Sequence, residues 1–329
     1  MSQLGIHKWG LSMRRWSIAA MAAISTITFS QLALAADLPP KAPAYVPQDW
    51  SGVYVGLEGG YGWGRQKSDS ILPGDPFTAT ISNGAQLASL SPAISFPGVN
   101  IPSTIQRGWS LGGFFGAQKQ WGNLVLGIEG DINGAGIKGS GTSSASFSSN
   151  GAVFVDAQGV PLGGNNNCTP CFILNHNLAI ESKIDTIASL RGKAGYAPSP
   201  NWLIYETGGA ALAHADNTIF ATQTSVNLLT TFNSSLCGID GVTCTFSPNS
   251  QSTISGGAIL FGYAAGGGLD YKLPLDEGSA LVFGAEYLHY GFPRQTITLI
   301  DNAGGSRSFR ISQDADVVKA RISYLFSIH

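Results

Sequence analysis

Charge is scarce in this chain. Lys, Arg, Asp and Glu together make up 12% of its 329 residues, about half the share of an ordinary globular domain. The formal net charge is −2 and no basic run occurs, which argues against nucleic-acid binding. Long apolar runs are missing as well. After Ala36 no window of about 18 apolar residues exists, so that part of the chain cannot cross a bilayer as a helix. Cysteine is limited to two close pairs, Cys168/Cys171 and Cys237/Cys244. What is plentiful is glycine, 43 residues, together with 10% aromatics. Low charge with much glycine and many aromatic rings fits a wall of strands facing lipid better than a soluble enzyme.

The N-terminus carries an export pattern. Lys8, Arg14 and Arg15 precede an apolar stretch from Ser17 to Phe29, which is too short to span a bilayer. Ala33-Leu34-Ala35 then matches the small-residue cleavage rule. Residues 1–35 are therefore expected to be a removed signal peptide. Its loss takes away three cations and no anion, moving the net charge from −2 to −5. Residues 36–49, with Pro39, Pro40, Pro43 and Pro47, read as an extended periplasmic linker. A barrel is expected over 50–326, with a short tail at 327–329. Export to an oxidising compartment makes two local disulfides the default for the four cysteines. Cys168 and Cys171 near His176 raise the thought of zinc, but the second pair has the wrong spacing, and no metal site is expected.

The segment from Asp316 to Phe326 shows the pattern most clearly. Val318, Ala320, Ile322, Tyr324 and Phe326 fall on one face, with Lys319 and Arg321 on the other, because side chains alternate across a strand. Seven further strands follow the same reading, over about 50–64, 108–121, 124–137, 184–197, 202–213, 256–273 and 280–291. Turns near Gly122, Pro200 and Asp276 are short. Those at about 66–107, 139–183, 220–253 and 299–308 are longer, and the first three are rich in Ser, Asn, Gly and Thr. Short turns at one end and long polar loops at the other are the pattern of an outer-membrane barrel.

In hydrocarbon every backbone polar group must pair internally, so a sheet there must close on itself. The fold class expected is all-β: an eight-stranded antiparallel up-and-down transmembrane β-barrel with short periplasmic turns and long extracellular loops. Closure at that size leaves a lumen just wide enough for side chains. The charged faces then turn inward, giving a lumen set of Glu58, Glu129, Asp131, Arg191, Lys193, Glu206, Asp270, Glu286, Lys319 and Arg321. Buried charge must be compensated, so arginine–carboxylate pairs are expected among them. Trp63, Trp109, Tyr196, Tyr271, Tyr287, Tyr324 and Phe326 lie near strand ends on the outward faces, as an aromatic girdle requires.

The pieces AADLPPKAP, WSGVYVGLEGGYGWG, LVLGIEGDI, SLRGKAGYA, LIYETGGAALA, FGAEYLHYGF and VVKARISYLF resemble the small eight-stranded outer-membrane barrels of Gram-negative bacteria known as outer-membrane immunogenic or porin-family proteins, relatives of the OmpA-type barrel. The resemblance implies that Glu129, Arg191, Glu286 and Arg321 occupy that family's inward ionisable positions. It also implies an outer-membrane location, contact with membrane lipid and lipopolysaccharide, and assembly by the barrel-assembly machinery through the C-terminal strand. The chain departs from the family in ending with Ser327-Ile328-His329 after Phe326, and in its long first loops.

The function expected is that of a structural barrel displaying surface loops, its lumen mostly plugged by charged side chains. The alternative is a narrow porin passing small solutes. An enzyme built on His214, Asp216 and His289 is disfavoured because no nucleophile motif of the G-x-S-x-G kind accompanies them, and no cofactor is expected. A soluble, lipocalin-like barrel would require the reverse facing, with Phe283 and Ile322 inside. No extracellular ligand can be read from the loops.

Overall fold

The computed structural model describes residues 49–327, apart from 78, 83–85, 92–93, 150–152, 156–157, 159–171, 228–242, 247–248, 276–277 and 303. The signal peptide, most of the linker, Ile328 and His329 therefore lie outside the described residues. So do Cys168, Cys171 and Cys237; for Cys244 only the backbone is described, paired with Ile81.

Eight long strands close into a barrel: β1 Gly52–Ser68, β2 Thr104–Trp121, β3 Leu124–Ser149, β4 Phe172–Ser199, β5 Trp202–Asn227, β6 Ser250–Pro274, β7 Ser279–Asp301 and β8 Ser306–Ser327. Each pairs antiparallel with its neighbour in sequence, and β8 closes on β1, with Glu58 opposite Arg321. Closure leaves no free edge, so the backbone hydrogen bonds of the wall are made within it. The β2–β3 turn is the two-residue Gly122-Asn123, where Gly122 takes φ 60°, a conformation that favours glycine. Among the described residues no helix is long and apolar enough to cross a membrane.

The strands run well past the expected boundaries. Nearly all the described residues of 139–183 and 220–253, read from composition as loop, are strand: β3 continues to Ser149, β4 begins at Phe172, β5 ends at Asn227 and β6 begins at Ser250. The physical reason is that these stretches still alternate. On β4, Leu174, Leu178, Ile180 and Ile184 are buried, while Asn177, Glu181 and Lys183 face out.

The direction of that alternation changes along each strand. In the lower barrel, nearer the short turns, charged side chains point inward, and Leu57, Ile128, Leu190 and Ile322 are exposed on the outer wall. In the upper barrel, Ile137, Ile184, Leu260, Leu288, Phe292, Ile311 and Val317 fill the interior. Lys138, Glu181, Lys183, Thr298, Arg310 and Asp314 line the outside there. The lower wall suits hydrocarbon and the upper wall suits water.

The segment between β1 and β2 covers the open end. Ile71–Leu72 pairs with Val99–Asn100, and Pro76–Phe77 with Ile94–Ser95. Leu72, Val99 and Ile101 join the upper core. Phe77 meets Phe96 edge to face at 6.0 Å. Buried His176 of β4 donates from Nδ1 to the Pro97 carbonyl at 2.8 Å. Gln106, Gln66, Ser182 and Gln313 hydrogen-bond to one another across the interior beneath this cover.

Candidate functional site: a charge network in the lower lumen

Two arginines and two glutamates form a closed ring across the lumen. Arg191 Nη2 on β4 donates to Glu129 Oε1 on β3 at 2.7 Å, and its Nη1 to Glu286 Oε1 on β7 at 3.0 Å. Arg321 on β8 completes the ring, with Nη2 2.6 Å from Glu129 Oε2 and Nη1 3.0 Å from Glu286 Oε1. Around it, Arg191 also reaches Asp131 at 2.8 Å, Lys319 reaches Glu58 at 2.6 Å and Lys193 reaches Asp270 at 2.9 Å. All nine of these charged side chains are nearly or fully buried. An isolated charge at such a site would lose its hydration without return, and dense pairing offsets that cost.

Neutral groups supply further hydrogen bonds, while Arg191 Nε, Arg321 Nε, Glu58 Oε2 and Glu286 Oε2 make none. Tyr54 donates to Glu129 Oε2 at 3.0 Å. Tyr205 donates to Glu286 at 3.2 Å and accepts from Arg321 Nη1 at 2.5 Å. Asn133 donates to Glu58 at 2.8 Å and Asp131 at 3.0 Å, and Ser189 to Asp131 at 2.5 Å. The two tyrosines fit because glycines face them. A Cβ at Gly116 would strike the Tyr54 phenol, and one at Gly268 would strike that of Tyr205. The Arg321 guanidinium lies 3.8 Å from the centre of the Phe114 ring, and Lys193 Nζ lies 3.9 Å from that of Tyr205, positions that favour cation–π attraction.

Below the network the lumen is closed by Trp50, Phe114, Val125, Leu203, Val282 and Leu325. Lys272 Nζ sits 4.7 Å from the Trp50 ring centre and donates to the Asp49 carbonyl at 2.9 Å. The void left between these residues and the network is about 10 Å³, the space of about one water.

Nine of the ten charged residues expected in the lumen point into it. Glu206 does not. It faces outward between Ala194 of β4 and Gly267 of β6, while its neighbours Tyr205 and Thr207 point inward. The phase of β5 is set by Tyr205, whose hydroxyl joins the ion network, while Trp202 and Ile204 share the outer face with Glu206. Asp185, which strict alternation along β4 would turn inward with Arg191, also faces the outer wall. It sits at a register break flanked by Ile184 and Thr186, unpaired on both sides, and such a bulge flips the alternation. Lys272 is the inward charge that sequence reasoning missed. Its position two residues beyond Asp270 was the available signal.

Of the residues expected to form the girdle, Trp63, Trp109, Tyr196, Tyr271, Tyr287 and Phe326 are exposed on the outer wall. Tyr324 is half-buried there against Phe326, ring centres 4.6 Å apart. Tyr61, Trp121, Trp202 and Tyr263 add to the outward set. The histidines named as enzyme candidates are also outward. His214 Nδ1 is 3.0 Å from Asp185 Oδ1 and His289 Nδ1 is 2.8 Å from Asp316 Oδ1. The ligand atoms of Asp185, His214 and Asp216 lie within 4.8 Å of one another. That spacing suits a cation, but the Asp185–His214 hydrogen bond already occupies two of the three groups.

A closed eight-stranded barrel, an apolar outer wall bordered by aromatic rings and a charged, plugged lumen define an outer-membrane β-barrel protein. The chain is similar to the 31 kDa outer-membrane immunogenic protein of Brucella melitensis and of Brucella suis, 27% identical over 203 residues, which cover 59% of this chain and 62% of each relative. The match thus spans about three-fifths of the length of those relatives. No family model matches. Among solved structures, outer-membrane protein OprG of Pseudomonas aeruginosa is 12% identical, with 86% of this chain and 100% of that one covered at a TM-score of 0.30. Outer-membrane protease OmpT of Escherichia coli is 8% identical, with 84% and 97% covered at 0.31. Likenesses so distant carry no argument about activity.

Proposed function

We propose that this protein is a structural element of the outer membrane whose barrel holds a surface structure in place, and that its lumen does not conduct. The observation that carries this reading is the ring of Glu129, Arg191, Glu286 and Arg321 lying across the lower lumen. Beneath it is a void of about 10 Å³, and above it lies an apolar core roofed by the β1–β2 segment. A solute path would need these layers to part together. No catalytic role is assigned to His214 or His289, since an imidazole held by an aspartate supplies a base but no nucleophile.

Purified full-length protein in planar bilayers tests the reading. The expected result is a silent bilayer. Stable stepwise conductance that rises in a variant with the ring neutralised, Glu129→Gln with Arg321→Gln, would instead support the narrow-porin alternative.

A further inference from the structure

The lower edge of the polar outer wall carries a feature that folding alone does not favour. Arg107 of β2 stands directly opposite Lys138 of β3, and Lys138 directly opposite Lys183 of β4. All three side chains face outward and are exposed. Like charges in direct cross-strand register repel and destabilise a sheet. No hydrogen bond or ion pair to a protein group is made by any of the three among the described residues. The row continues on β1 to Trp63, the girdle residue opposite Arg107, with Arg65 and Lys67 exposed just above it. It therefore lies where the aromatic belt meets the polar wall, at the border of the apolar band away from the short turns.

Two outer grooves flank this row. One, about 650 Å³, is lined by Trp63, Arg65, Lys67, Ile105 and Arg107 together with His289 of β7 and Asp314 and Asp316 of β8. The other, about 450 Å³, is lined by Lys138, Ser140 and Lys183 together with Glu181 and Asp216. Asp314 stands opposite Arg65 on the β8 side and Asp216 opposite Lys183 on the β5 side, with Glu181 also outward on β4, so the part of the sector that no acid interrupts runs from Arg65 and Lys67 through Arg107 to Lys138, across β1 to β3.

We propose that Arg107, Lys138 and Lys183, with Arg65 and Lys67 beside them, form a binding site for the phosphate groups of a phosphorylated glycolipid of the outer leaflet, the lipid A part of lipopolysaccharide. Charge complementarity selects an anion. The height of the row places it at headgroup level, with Trp63 and Ile105 against the adjoining sugar and upper acyl chains. Phosphate between adjacent cations would turn a repulsive column into charge-assisted hydrogen bonds. The site rests on the outer-membrane placement and is independent of whether the lumen conducts.

The test uses the full-length protein in a non-ionic detergent, incubated with bis-phosphorylated lipid A, phosphate-free lipid A or phosphatidylglycerol, with retained lipid counted by native mass spectrometry. The unaltered chain is expected to retain bis-phosphorylated lipid A at least tenfold better than either other lipid. R107Q/K138Q/K183Q should lose that preference. Equal retention by the triple variant, or equal retention of phosphate-free lipid A by the unaltered chain, would overturn the proposal. Preference for phosphatidylglycerol would overturn it in favour of a general anionic surface. K138Q alone covers the case in which the triple variant fails to fold. It should raise the Tm in detergent without lipid, by relieving repulsion, yet leave the Tm below that of the unaltered chain when bis-phosphorylated lipid A is present. A lowered Tm in both conditions would show that no repulsive column exists.

Discussion

The lower and upper halves of the barrel are built by the same eight strands and obey opposite rules. On β8, Lys319 and Arg321 are buried while Ile322 is exposed; a few residues earlier Ile311, Ala315 and Val317 are buried while Arg310 and Asp314 face out. The backbone pairing does not change between them. Only the solvent outside does. In the lower half hydrocarbon accepts apolar side chains at no cost, so the interior is free to hold ions. In the upper half water surrounds the wall, and the hydrophobic effect drives apolar groups inward as in any soluble protein. A sheet's facing is thus decided by its surroundings, not by its hydrogen bonds.

Breaking each half should reveal its rule. The largest effect is expected in the lumen: Arg191→Met removes one partner of three carboxylates and should cost about 4 kcal/mol in urea unfolding from detergent micelles, because it strands buried charge. Adding Glu129→Gln should recover part of that loss. Strict additivity of the two would mean the ring is not coupled. In the upper half, Ile184→Ala should cost about 3 kcal/mol by the same measurement, through the cavity it leaves; a value near zero would mean the upper core is loosely packed. The boundary itself is probed by arginine on the outer wall. Ile128→Arg, low on β3, should cost about 2 kcal/mol in lipid vesicles, whereas Thr142→Arg, high on the same strand, should stay within about 0.5 kcal/mol. Equal costs would place the two positions in one solvent. The last effect runs the other way: Glu206→Leu removes an outward carboxylate from the apolar wall and should stabilise the vesicle-embedded protein by about 1 kcal/mol.

The lower half was largely readable from sequence. Wherever one face carried ions and the other carried apolar groups, as on β3, β7 and β8, alternation fixed which side chains met in the lumen. It failed on β5, where Leu203, Ile204 and Tyr205 are apolar or aromatic on both faces and a single Glu206 was the only guide to phase. It failed again at Asp185, because a bulge leaves no mark in the order of residues. The upper half was hidden by composition. Serine, threonine and glycine read as loop, and only the sparse inward row of Leu174, Leu178, Ile180 and Ile184 says otherwise. The ring geometry itself could not be read, since it depends on how four strands far apart in sequence are staggered around the barrel.

The length of β4, 28 residues, has a consequence for how the molecule meets the world beyond the cell. At a tilt of about 45° such a strand climbs about 65 Å, against an apolar band about 25 Å tall. Some 40 Å of ordered wall, by that same estimate, is left to rise as a rigid stalk from the outer leaflet. The tip segments are thereby carried well above the apolar band instead of lying flush with it.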